Sequence, residues 1–235
     1  MRKRSEIFRD LIRPISQQGE IKITLLLFSM SVFCFALSVF RYVITDTRTF
    51  LFLNWNLFLA FIPWAASAAL SQKIIQPNKF QVFALLMVWI VFFPNSPYIL
   101  TDLFHLGSHS SAPIWFDLVL ILAFAWTGLS YGLVSLQNIE RMLRQYLRPL
   151  FAHLSIAVLL FIGSFGVYLG RFERWNSWNL LNHPFSLGAD ISDRFLNPAA
   201  HPRTWGVTIL LGILLNMIYW TFQILNEKSS QHPTV

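Results

Sequence analysis

The stretch Phe80-Gln81-Val82-Phe83-Ala84-Leu85-Leu86-Met87-Val88-Trp89-Ile90-Val91-Phe92-Phe93, followed by Pro94-Asn95-Ser96-Pro97-Tyr98, decides the fold class. Its apolar residues run in a continuous block and do not alternate with polar ones, which argues for a buried or lipid-facing helix. Fourteen residues of helix rise roughly 21 Å, short of the roughly 30 Å of a bilayer core. The helix therefore crosses only by continuing through Pro94 and Pro97, and a kink or break is expected there.

The rest of the chain has the same character. Of 235 residues, 55% are hydrophobic and only 12% charged, whereas soluble domains carry about 25% charged residues. With a mean hydropathy of +0.52, the composition is that of a polytopic, all-α membrane bundle. Six spans are expected, at about 21–40, 54–70, 80–106 (broken or kinked), 113–136, 150–169 and 204–225, forming one domain over 1–235. The N-terminal Arg2, Lys3, Arg4, Arg9 and Arg13 resemble the start of a signal peptide, but the following span lacks a small-residue cleavage site and reads as a retained helix. A single cysteine, Cys34, excludes an intramolecular disulfide and a cysteine-based metal cluster.

Positive charge sets the expected orientation. With the N-terminus inside, the inner side carries Arg2, Lys3, Arg4, Arg9, Arg13, Lys22, Lys73, Lys79, Arg141, Arg144, Arg148 and Lys228; the outer side carries Arg41, Arg48, Arg171, Arg174, Arg194 and Arg203. Twelve against six places both termini in the cytoplasm. The net charge of +7 is accounted for by this bias and by attraction to anionic lipid, so no nucleic-acid partner is inferred.

On that topology two polar segments share the outer face. The first runs from Pro94 to Gly107 and resumes at Pro113-Ile114-Trp115-Phe116-Asp117. Asn95 or Ser96 can cap a short helix from about Pro97 to Leu106, with Gly107 ending it. On it Asp102 and His105, three apart, share a face, as a proton-handling pair, as two metal ligands, or as a plain surface pair at headgroup level. Asp117, in the first turn of the fourth span, either complements the helix dipole or joins Asp102 and His105 in a proton relay or a divalent-metal site. The second segment is Gly170-Arg171-Phe172-Glu173-Arg174-Trp175-Asn176-Ser177-Trp178-Asn179. Arg171 and Arg174 can grip an anionic headgroup with help from Asn95, Tyr98 and Asn176, or can pair with Glu173, Asp102 or Asp117. Gly166 and Gly170 form a small-xxx-small pair suited to close helix approach. His109, His183 and His201 read as loop residues, His153 as packing or interfacial, and Asn216 as the donor of an interhelical hydrogen bond. No GxSxG, HExxH, P-loop or GxGxxG sequence occurs.

Together, Asn95-Ser96-Pro97-Tyr98 with Thr101-Asp102-Leu103 and His105, then Trp115-Phe116-Asp117, then Gly170-Arg171-Phe172 with Arg174-Trp175-Asn176-Ser177-Trp178 resemble the bacterial membrane proteins grouped as domain of unknown function 1361. The resemblance runs from about the second helix to the sixth. It implies a multi-spanning protein of a bacterial inner membrane and brings no activity, cofactor or substrate with it. In the family pattern the last motif closes on Asp, where this chain has Asn179, so no catalytic acid is implied at that position.

Three functions are compatible with these residues. The first is a membrane-embedded enzyme at the outer leaflet, with Arg171 and Arg174 on an anionic or lipid-linked substrate and Asp102, His105 and Asp117 handling protons or a metal. The second is a non-catalytic subunit whose Trp and Arg residues dock a protein partner. The third is a transporter using the broken helix, which the absence of ionisable residues near any span's midplane disfavours.

Overall fold

The computed structural model describes residues 4–71, 78–107, 111–178 and 182–231, with side chains from 19 to 226 within those ranges. Of the residues singled out above, Arg2, Lys3, Lys73, His109 and Asn179 lie outside the described residues, as do the side chains of Arg4, Arg9, Arg13 and Lys228. The described chain forms α1 (Arg4–Thr45), α2 (Phe52–Ser71), α3 (Lys79–Phe92), a single turn α4 (Asn95–Tyr98) that runs into a 3-10 segment (Ile99–His105), α5 (Ile114–Leu143), α6 (Pro149–Phe172), α7 (Pro184–Leu196), a 3-10 turn (Pro198–Ala200) and α8 (Pro202–Gln231). Six stretches are long and apolar enough to cross a bilayer: Gly19–Thr45, Phe52–Ser71, Lys79–His105, Ile114–Leu143, Pro149–Phe172 and Pro202–Asn226. The protein is an all-α, multi-pass membrane protein. Several crossing helices overrun the expected spans, α5 by seven residues at its C-terminus, because hydrophobicity marks the hydrocarbon boundary whereas helices end at caps and turns.

α5 is the central post, with 67% of its most apolar window buried against 17% for α1. Leu120, Ile121 and Phe124 pack with Leu27 and Cys34 of α1 and Leu53 and Leu57 of α2. Toward the other end Leu133, Leu136 and Ile139 meet Trp89 of α3, Ile156 and Leu160 of α6, and Leu215 and Tyr219 of α8. α1 leaves Phe28, Phe35 and Ile44 more than half exposed, as expected of a helix facing lipid.

α3 starts with a reciprocal cap, the Gln81 amide donating to Asn78 Oδ1 at 2.8 Å and the Asn78 amide to Gln81 Oε1 at 3.0 Å. It ends at Phe92 because Pro94 has no N–H to continue the ladder. The expected cap by Asn95 or Ser96 is not formed. Asn95 Nδ2 instead donates to the Phe92 carbonyl (3.0 Å) and to Ser177 Oγ (3.1 Å), which repairs the end of α3 and ties it to the chain after α6. In place of a regular helix from Pro97 to Leu106, the chain makes one α turn and then a 3-10 segment, ended by Gly107 at φ +81°.

The break sits in a trough of glycines. A Cβ on Gly132 of α5 would lie 2.8 Å from Ser96 Cβ, on Gly163 of α6 2.7 Å from Phe93 Cε1, and on Gly166 2.6 Å from Pro94 Cγ. Gly170, one turn further along α6, faces the Tyr98 ring, where a Cβ would stand 3.2 Å away. The small-xxx-small pair thus admits the broken segment itself rather than a straight helix.

The chain between the expected spans 150–169 and 204–225 contains α7. Pro184 supplies its first turn, and Leu187 and Ile191, one turn apart, pack on Tyr168, Leu169 and Val207, while Phe185 is 92% and Leu196 79% exposed. Asn216 departs from its expected role: its Nδ2 donates to the Gly212 carbonyl of its own helix at 2.8 Å.

Replacing Gly166 by Val forces side-chain atoms into the space of the Pro94 ring, an overpacking that costs about 1–3 kcal/mol. A lower melting temperature of the detergent-purified variant, with the same change at the unpacked Gly206 having a smaller effect, checks the trough.

Candidate functional site

The 3-10 segment determines how the polar residues are presented. At three residues per turn, side chains at i and i+3 eclipse one another. Ile99, Asp102 and His105 therefore form one row, and Tyr98, Thr101 and Phe104 the adjacent row. Arg171, in the last turn of α6, reaches across both. Its Nη2 donates to Asp102 Oδ1 at 2.5 Å, its Nε to Thr101 Oγ1 at 2.8 Å, and its Nη1 lies 3.0 Å from His105 Nε2. The guanidinium carbon stands 4.9 Å from the Tyr98 ring centroid and 5.8 Å from that of Phe104. From α2, Asn56 Nδ2 donates to Asp102 Oδ2 at 2.9 Å.

Asp102 is 1% exposed and the Arg171 side chain 12%. A carboxylate so deep requires compensation of its charge, and Arg171 with Asn56 supplies it. Because a guanidinium only donates, His105 Nε2 accepts and the proton of a neutral ring resides on Nδ1. The imidazole also packs edge-on to Phe52, centroids 5.5 Å apart. The arrangement fixes the ring's tautomer and orientation next to an internally neutralised ion pair, which is the geometry of an oriented acid–base group.

Asp117 does not join this cluster. Arg41 of α1 holds it with a forked contact, Nε to Oδ1 at 2.6 Å and Nη2 to Oδ2 at 3.2 Å, and both side chains are 2% exposed. Arg41 Nη1 donates to Thr47 Oγ1 at 2.9 Å, and the guanidinium packs on the Phe50 ring at 4.6 Å. No group of three His, Cys, Asp or Glu residues is close enough to hold a metal among the described residues. The ligand set Asp102, His105 and Asp117 is thus not assembled, for the physical reason that Asp117 is neutralised by an arginine from another helix.

Arg171 and Arg174 also part company. α6 ends at Phe172, and Arg174 takes a left-handed conformation at φ +60°, directing the chain back so that the Trp175 amide bonds the Leu169 carbonyl at 3.1 Å. Arg174 is exposed and has no ion-pair partner among the described residues, whereas each of the three guanidinium nitrogens of Arg171 has a partner. Asn176 is exposed. Trp175 Nε1 donates to Asp190 Oδ2 of α7 at 2.7 Å, and Asp190 also takes Arg194. Arg194 reaches Glu173 at 2.9 Å, and Glu173 accepts from the Tyr168 hydroxyl at 2.7 Å. Burial works against the charge on Arg194, but Asp190 and Glu173 outweigh it and raise its pKa.

The opposite end of the bundle holds a further buried carboxylate, Glu140, 2% exposed. Arg144 Nη2 reaches it at 2.6 Å, His153 Nε2 lies 3.3 Å away, and Tyr219 and Gln223 of α8 both donate to it. His153 Nε2 also lies 2.7 Å from Arg144 Nη2, so His153 is part of a polar network joining α5, α6 and α8. Neither Glu140 nor Arg41 had a motif to mark it; an acid at i with Arg at i+4 was the available signal for the first.

Asp102 and Asp117 belong to separate networks, so alanine at each should destabilise by about 3–5 kcal/mol and the two effects should add within about 0.5 kcal/mol. Unfolding of the reconstituted single and double variants measures this, and coupling above that value would mean the networks are joined.

A family model described as "Protein of unknown function (DUF1361)" matches residues 55–218. No curated protein and no solved structure matches the chain.

Proposed function

The chain belongs to the DUF1361 family, and we propose that it is a membrane-embedded enzyme of a bacterial cytoplasmic membrane, with both termini in the cytoplasm, acting at the extracytoplasmic end on an anionic or lipid-linked substrate. The observation that carries this reading is the imidazole of His105, held by Arg171 beside a buried carboxylate. In this reading His105 exchanges a proton with the substrate. Asp102, Asn56 and Thr101 fix Arg171, and Arg171 fixes the imidazole, so these are positioning residues. Arg174 takes the anionic group, because it is exposed and Arg171 is already neutralised. Asp117 with Arg41 joins α1 to α5 and has a structural role. The orientation rests on the excess of Lys and Arg at the end opposite the break.

A second reading, a docking subunit, is favoured by one feature. Trp178 and Trp55 are partly exposed and pack together at 5.8 Å beside Phe58, and aromatic residues are favoured interface anchors.

The test compares extracted lipids and lipid-linked intermediates, by mass spectrometry, from cells lacking the protein and from cells expressing wild type, His105→Ala or Arg174→Ala at equal levels. The enzyme reading expects one species to change with wild type and to revert with His105→Ala. An unchanged lipid profile, together with a co-purifying protein lost on Trp178→Ala, would replace it with the docking reading. A reporter fused to either terminus and active only in the cytoplasm checks the orientation.

A further inference from the structure

A second site lies at the other end of the bundle, where α1 enters the span and α5 leaves it. There α1, α2 and α5 diverge around a cleft of about 120 Å³. Its mouth carries one charge of each sign, Glu20 of α1 and Arg141 of α5, together with Thr24 and Ser71. Its deeper wall is apolar, formed by Ile23, Ala68 and Val134. Seven residues separate Val134 from Arg141, so the cleft reaches roughly 10 Å from headgroup level toward the hydrocarbon. That is the profile of a lipid: a polar head outside, an acyl chain within.

The charges at the mouth are loosely joined and firmly placed. Arg141 Nη1 is 3.5 Å from Glu20 Oε1, and the two side chains are 52% and 47% exposed, so the pair is weak and open to exchange. Arg141 is nevertheless anchored, because its Nη2 donates to Asn138 Oδ1 at 2.9 Å, and Asn138, 7% exposed, is itself fixed by donating to Ser67 Oγ at 3.1 Å. Only two of the five guanidinium N–H groups have protein acceptors among the described residues, which leaves donors for a phosphate.

We propose that this cleft binds a phosphatidylethanolamine, with Arg141 on the phosphate, Glu20 on the ammonium and the first part of one acyl chain along Ile23, Ala68 and Val134. The paired charges select the headgroup. Glu20 repels a headgroup that is anionic without a cation, such as phosphatidylglycerol. A choline headgroup carries the positive charge but no N–H to donate to the carboxylate. The site is separate from Asp102, Arg171 and His105 and stands whether or not that end is catalytic.

The full chain is reconstituted in vesicles of equal parts phosphatidylethanolamine, phosphatidylglycerol and phosphatidylcholine, and the lipid retained after mild detergent extraction is read by native mass spectrometry. Wild type is expected to keep one phosphatidylethanolamine in preference to the others. Glu20→Gln should lower its preference over phosphatidylglycerol about tenfold, the value of one charge-assisted hydrogen bond. Ala68→Leu, which narrows the cleft and leaves both charges in place, should lose the retained lipid of any headgroup. Equal retention of the three lipids by wild type, or an undiminished ethanolamine preference in Glu20→Gln or Ala68→Leu, overturns the proposal.

Discussion

A helix can be broken inside hydrocarbon only where its released backbone groups and its bend are buried in protein. This constraint organises the molecule. Pro94 removes an N–H from the third crossing, and the chain answers with Asn95 on the Phe92 carbonyl, a tightened 3-10 continuation, and a trough of small residues on α5 and α6 wide enough for the displaced backbone. The glycines and the prolines are two halves of one device. Without Gly132, Gly163 and Gly166 the bend would have no room, and without the bend those glycines would leave voids.

Once the segment is bent inward, its polar residues must be satisfied there. Asp102 is carried to a place where it is 1% exposed, and Arg171 from α6 and Asn56 from α2 close on it. The same rule recurs at Asp117 with Arg41 and at Glu140 with Arg144, each a carboxylate of α5 or its neighbour held by a guanidinium near a span end. Buried ion pairs of this kind contribute little net stability but make the loss of either partner costly. They specify which helices meet and in what register. At Asp102 the pair also orients the imidazole of His105, and at Glu140 the Arg144 guanidinium meets the imidazole of His153 in the same way, with Nη2 2.7 Å from Nε2.

The sequence was most informative where a single local rule applied. The count of crossings follows from apolar length, the break from two prolines, the shared face of Asp102 and His105 from spacing, and the close approach at Gly166 and Gly170 from residue size. It was least informative where the answer depended on a distant partner. Asp117 looks the same from its neighbours whether it faces His105 or Arg41, and its partner lies 76 positions away. Arg41 enters the reading of the sequence only as one of the outer positive charges, yet it is 2% exposed. α7 was hidden because its apolar stripe is short and interrupted by Asp190, Asp193 and Arg194, charges whose partners lie partly outside the helix. Asn216 shows the converse error: a polar residue in a span can bond its own helix and needs no neighbour.

The engagement of Arg171 changes what this end of the bundle can do. Two exposed guanidiniums would make a simple anion clamp, indifferent to the residues around it. With Arg171 committed to Asp102, Thr101 and His105, the proposed binding and orienting roles fall to different arginines, one anchored in the helix and one beyond it. The left-handed turn at Arg174 produces this division, because continuing the helix would have set both side chains on one face. α7 then holds the turn through Trp175 on Asp190 and Arg194 on Glu173, so the position of the exposed cation depends on a helix that itself does not cross the bilayer. Trp175, Asp190, Arg194, Glu173 and Tyr168 thereby link the turn that carries Arg174 to α7 and to the end of α6 that carries Arg171.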